Sequence, residues 1–173
     1  MSALAPIFNL LDQSPRRVLA LVAAACVSLL AYGILYLQQV VGLEPCPMCI
    51  VQRYALILVA VVAGVAAVLP GRTGRQVSIG AMGALAVSGA FVAARQSFLQ
   101  WNPPEIMSCG RDFYGMIESF PLKRAIPMIF KGSGDCSAVD WTFLGLSIAN
   151  WSFLCFSGIA VLALLMLVRR PPA

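Results

Sequence analysis

The sequence contains no histidine, and only 11% of its residues are charged. Without histidine, mixed Cys/His zinc sites are excluded. A soluble domain usually carries about a quarter charged residues, so this chain lacks the polar surface that water demands. Hydrophobic residues make up 60% of it instead, and the surplus apolar surface must face lipid. Positive charge is in modest excess, at +5. The Lys and Arg residues are not gathered into a patch with interleaved aromatics, as a nucleic-acid reader requires. They stand at the ends of long apolar runs, where basic residues orient a membrane protein. Internal repeats and low-complexity tracts are also missing.

What is present is four apolar runs, at about residues 18–41, 49–69, 77–98 and 143–168. Each is long enough to cross a hydrocarbon core, which takes roughly 20 residues of helix. The first run is too long for the apolar region of a cleaved signal peptide, about 7–15 residues, and continues well past Cys26. It reads as a retained span. The chain is therefore expected to be a single all-α membrane domain, a bundle of four transmembrane helices. Its connections are unequal. Residues 42–48 and the basic stretch from Pro70 to Gln76 are short, whereas residues 99–142 form a long loop rich in Pro, Gly and charge. Within that loop, residues 112–130 have the mixed character of an interfacial amphipathic segment, interrupted by Pro121 and Pro127.

Arg16 and Arg17 precede the first run, Arg72 and Arg75 join the second to the third, and Arg169 and Arg170 follow the fourth. In a four-span chain these three regions share one side, and the positive-inside rule makes it cytoplasmic. Both termini are then cytoplasmic, and loops 42–48 and 99–142 face outward.

Of six cysteines, Cys46, Cys49, Cys109 and Cys136 fall in or beside the outward loops, while Cys26 and Cys155 lie inside spans and read as small buried apolar groups. Thiols outside the cytoplasm persist as disulfides. Cys46-Pro47-Met48-Cys49 is a C-x-x-C, the spacing of thiol–disulfide catalysts, and Cys49 opens a helix, where backbone N–H groups favour a thiolate. Arg53, four residues on, shares its helix face. It either supports that thiolate or a polar oxygen just below the membrane surface, or snorkels to the interface. Arg95 reads as an interface anchor. A static disulfide is credible for Cys109–Cys136, which would close a long loop, and less so for the small ring of Cys46–Cys49. Gly80, Ala84 and Ser88 form a small-residue stripe for close packing of the third span. Trp101, Trp141 and Trp151 sit near span ends, as interfacial anchors do. Sulfur pairs at a bilayer surface can exchange electrons with a soluble dithiol protein on the outer side and with a lipid-soluble carrier.

The run Glu44-Pro45-Cys46-Pro47-Met48-Cys49-Ile50-Val51-Gln52-Arg53 resembles the C-x-x-C and following arginine of the bacterial disulfide bond formation protein B family. Gly132-Ser133-Gly134-Asp135-Cys136, followed by Trp141-Thr142-Phe143-Leu144-Gly145-Leu146, is similar to that family's second-loop signature. With the four spans, the resemblance covers nearly the whole chain. It implies an inner-membrane oxidase that keeps a periplasmic thioredoxin-like dithiol oxidase in its disulfide form, and the partner–membrane protein–quinone chain is itself a standard example of how a periplasm is kept oxidising. It further implies redox-active disulfides Cys46–Cys49 and Cys109–Cys136. Cys109 would take the partner's attack, Cys136 would exchange with Cys46, and Cys49 would pass electrons to ubiquinone or menaquinone beside Arg53. Gln96 occupies a place that lies near the quinone in the family, where some members have His. Two other readings compete. One is a vitamin K epoxide reductase-like protein, whose cysteine order fits less well; the other is a membrane scaffold with two structural disulfides.

Overall fold

The computed structural model describes residues 14–103 and 136–169. Cys109, the amphipathic segment at 112–130 and the Gly132–Asp135 part of the loop signature lie outside the described residues. Four helices are long and apolar enough to cross a membrane: α1 (Pro15–Gln38), α2 (Pro47–Val68), α3 (Arg72–Trp101) and α4 (Ile148–Arg169). At 1.5 Å per residue, even the 22-residue helices α2 and α4 reach about 33 Å, enough for a hydrocarbon core of about 30 Å. The expected four-helix membrane bundle is what the chain forms. Large side chains such as Val68, Phe91 and Leu164 are exposed on its outside, where lipid replaces water as their solvent.

Helix α3 packs against both α2 and α4, and α1 packs against α2. One half of the bundle is solid. Leu19 and Cys26 of α1, Val59 and Ala63 of α2, Ile79 and Met82 of α3, and Ala163 and Met166 of α4 form one buried cluster there. Many of these residues are small, so the helices approach closely. The opposite half is looser and encloses a cavity.

The helix ends explain where the spans fall. Pro15 and Pro47 occupy first-turn positions, where a missing N–H costs nothing. Helix α3 begins at Arg72 rather than near residue 77, so most of the Pro70–Gln76 link is helical and the connection from α2 shrinks to residues 69–71. The last seven residues of α1, Tyr32–Gln38, are wound as a π-helix.

Two further expectations are corrected. The fourth apolar run does not enter its helix at residue 143. Strand β1 (Thr142–Phe143) pairs antiparallel with β2 (Leu146–Ser147), and the helix starts at Ile148. The hairpin turns through Leu144 and Gly145, with φ of 52° and 78°, the left-handed backbone that tight two-residue hairpins need. Ser147 Oγ then accepts the Asn150 N–H at 3.4 Å, a serine cap that fixes the start of α4. Second, the Gly80/Ala84/Ser88 stripe is not the packing face, since Ala84 and Ser88 are exposed. A strict four-residue step winds about 40° around a helix each time, so the stripe leaves the contact. The buried face is Ile79, Met82, Ala86, Gly89, Ala93 and Gln96, at alternating steps of three and four.

Candidate thiol site and its cavity

The C-x-x-C motif is built into the start of α2. Cys46 is the N-cap, in extended conformation, and its sulfur accepts the Cys49 backbone N–H at 3.3 Å. Sulfur here does the work of a capping hydroxyl. That bond turns Cys49 back toward Cys46, and the two sulfurs lie 2.9 Å apart. Both sit where the helix presents its unpaired N–H groups and positive end.

Cys136 joins them. It is fully buried, and with Cys46 and Met48 it forms a small cluster against Cys49, Val92 and Leu99. Cys46 is within hydrogen-bonding reach of Cys136 as well as Cys49. Those two bonds, and then burial, push its thiol well above the ordinary thiol range. The segment after Cys136 is tied to the end of α3. Gln100 Nε2 donates to the Ala138 carbonyl at 3.3 Å, and Ser147 Oγ donates to Gln100 Oε1 at 2.6 Å. Gln100 thereby fastens both the chain beyond Cys136 and the hairpin to one helix.

Beneath the sulfurs lies a cavity of about 470 Å³, within the usual range of small-molecule sites. Its walls are mainly apolar, from Leu29, Leu37, Leu56, Ile148 and Phe156 among others. A few polar groups converge at the cysteine end. Arg53 Nη1 donates to Gln38 Oε1 at 2.7 Å, and its charge interacts with both Cys49 and Cys46. Gln96, only 3% exposed, donates from Nε2 to the Cys46 sulfur at 3.3 Å and to the Cys49 sulfur at 3.2 Å. Gln52 Nε2 donates to Gln96 Oε1 at 2.6 Å.

Of the six residues singled out from sequence, the structure brings Cys46, Cys49, Cys136, Arg53 and Gln96 to this one place, and Cys109 lies outside the described residues. Cys26 is in the solid core, whereas Cys155 is half-buried and lines the cavity. Arg95 is exposed, as an interface anchor would be. Trp141, Phe143 and Trp151 line the rim, with Trp151 Nε1 donating to the Phe143 carbonyl at 3.0 Å. Sequence reasoning missed Gln38, Gln52, Gln100 and Ser147. The available signal was four polar side chains in or beside apolar runs, where polar groups are costly unless used.

The cavity thus combines mainly apolar walls with a few polar groups beside a sulfur pair, Arg53 among them as a hydrogen-bond donor, the make-up of a small-molecule site. Comparison with known proteins agrees with the sulfur chemistry. The family model described as "Disulfide bond formation protein DsbB" matches residues 15–166. A "Disulfide bond formation protein B" from Polaromonas sp. (strain JS666) is 72% identical, with 91% of this chain and 94% of the relative covered. One from Paracidovorax citrulli (strain AAC00-1) is 67% identical, over 94% and 93% of the two chains. One from Azoarcus sp. (strain BH72) is 53% identical, over 92% and 96%. With residues 15–166 matched by the family model and nearly the whole chain covered by relatives of such identity, the chain belongs to the disulfide bond formation protein B (DsbB) family.

Proposed function

We propose that the protein is an inner-membrane protein-dithiol:quinone oxidoreductase that reoxidises a periplasmic thioredoxin-like dithiol oxidase and so generates disulfides. The observation that carries this reading is the position of Cys46, whose sulfur is in reach of both Cys136 and Cys49 at the mouth of an apolar cavity. A sulfur placed between two others can exchange with each in turn.

The partner's thiolate attacks Cys109 in the Cys109–Cys136 disulfide, forming a mixed disulfide and releasing Cys136 as a thiolate. The partner's second thiol resolves that bond, and the partner leaves oxidised. Cys136 attacks Cys46 in the Cys46–Cys49 disulfide, and Cys49 leaves as a thiolate. Attack by Cys109 on Cys136 then restores the first disulfide and leaves Cys46 and Cys49 reduced. Two electrons and two protons have moved from the partner to the inner pair. A ubiquinone or menaquinone, held in the cavity beside Arg53, would supply a two-electron, two-proton acceptor. Arg53 offers its charge to the Cys49 sulfur and a donor to an acceptor oxygen, while the apolar walls keep water from the sulfurs.

A strongly oxidising soluble partner has a potential of about −120 mV, so thiols alone could not keep it oxidised, and a terminal acceptor of comparable or higher potential is required. The reading is tested by adding a reduced thioredoxin-like donor to the purified protein with ubiquinone and following quinone reduction. Turnover is expected in the unaltered chain and is expected to vanish in Cys49→Ser and in Cys109→Ser. Turnover retained by Cys49→Ser would overturn the assignment, as would a chain that never reduces quinone.

A further inference from the structure

We propose that Gln52 is a positioning residue for the Cys46/Cys49 pair, acting through the side-chain amide of Gln96. The inference rests on the reading of Cys46 and Cys49 as a redox pair. It does not depend on the identity of the electron acceptor.

A side-chain amide has a donating end and an accepting end, and which end faces a sulfur depends on what the other end meets. Gln96 stands between the two sulfurs on one side and Gln52 on the other. Gln52 presents its NH2 to Gln96 Oε1 at 2.6 Å. The Gln96 oxygen is thereby taken, and its NH2 points at Cys46 and Cys49, at 3.3 and 3.2 Å. Reversing Gln96 would set two NH2 groups against each other and a carbonyl oxygen against the sulfurs. Gln52 and Gln96 are 6% and 3% exposed, so water is poorly placed to repair such a mismatch. A buried polar group left without its partner keeps its full desolvation cost.

The polarity of this relay has a chemical consequence. N–H donors bind a thiolate about twice as strongly as a neutral acceptor, so the relay favours the reduced pair when one sulfur is charged. Stabilising the reduced form makes a dithiol/disulfide pair a stronger oxidant. Gln52 also sits three residues after Cys49 and one before Arg53, on the turn of α2 that carries the site. Arg53 supplies charge there, and Gln52 supplies orientation.

The test uses full-length protein with Cys109→Ser and Cys136→Ser, so that only the inner pair is read. Its reduction potential is measured by equilibration in a thiol/disulfide buffer, and its reactivity by the rate of iodoacetamide alkylation at fixed pH. Gln96→Met is expected to lower the equilibrium constant for reduction about tenfold, about 30 mV, and to slow alkylation similarly. Gln52→Met is expected to shift both about threefold in the same direction. The double variant is expected to resemble Gln96→Met alone, because residues acting through one contact are not additive. Gln52→Glu, nearly isosteric but with acceptors in place of the donor, is expected to shift both at least as far as Gln52→Met. Unchanged potential and alkylation in Gln52→Met and Gln52→Glu would overturn the proposal, and so would a Gln52→Met effect that adds in full to that of Gln96→Met. Neither readout involves quinone. A chain that fails to reduce quinone would therefore overturn the proposed function and leave this relay to stand or fall separately.

Discussion

Arg53 lies one helical turn below Cys49, and its guanidinium is held from the other side by Gln38 Oε1 at 2.7 Å. A charge in an apolar helix is costly, and a fixed partner gives it one direction. If that direction serves an acceptor oxygen in the cavity, Arg53→Ala should raise the apparent KM for quinone about tenfold, the loss of roughly 1.4 kcal/mol. Gln38→Leu should raise it about threefold, since the charge remains but loses its tether. Thiol exchange between the inner pair and Cys136, followed by rapid mixing and acid trapping, should be unchanged in Gln38→Leu, which keeps the charge, and slowed in Arg53→Ala, which removes it from beside the departing Cys49 thiolate. Unaltered KM values would return Arg53 to a snorkelling anchor. Arg53 was legible in the sequence because its relation to Cys49 is local, four residues along one helix. Gln52 and Gln96 were not legible as a pair, because their contact joins two helices and depends on which faces meet. Gln38 was hidden by the π-helical turn, which displaces side chains from the α-helical period.

At the scale of the element, the packing of α3 on α4 turns on which small residues face inward. A Cβ added at Gly89 would lie 2.6 Å from Cε1 of the Phe156 ring, whereas one added at Gly80 would meet nothing within 4 Å. Gly89→Ala is therefore expected to destabilise the bundle by about 1–3 kcal/mol, the usual cost of overpacking, and to drive Phe156 toward the cavity that it lines. Gly80→Ala is expected to be neutral or to stabilise by about 0.5–1 kcal/mol, because it removes a helix-interior glycine without a clash. Thermal unfolding in detergent separates the two, and equal effects would contradict the assigned face. The helices themselves were readable because lipid demands long apolar runs. The hairpin at Thr142–Ser147 was not, since its residues extend the apolar run without a break and a short apolar stretch has no distinctive period. Ser147, a helix cap immediately before Ile148, was the available clue.

The whole molecule has two unlike ends. Ser14, Pro15, Arg16, Arg17, Pro70, Arg72 and Arg75 gather at one, where Arg16 donates to the Leu69 carbonyl at 3.4 Å. Cys46, Cys49 and Cys136 gather at the other, a full helix length away. The bundle shows that these groups are separated along the helices; the positive-inside rule then predicts that the arginine end is the cytoplasmic one. The proposed electron relay requires the sulfur end to meet the oxidising compartment, so charge and chemistry make the same demand on orientation. A membrane-impermeant maleimide applied to intact spheroplasts, with reductant present, should block Cys109 in the outward loop. A cysteine introduced at Thr73, in a chain lacking the six native cysteines, should react only after lysis. If Thr73→Cys were labelled in intact cells while Cys109 was protected, the orientation would be reversed. The sulfurs would then face a reducing cytoplasm in which their disulfides could not persist.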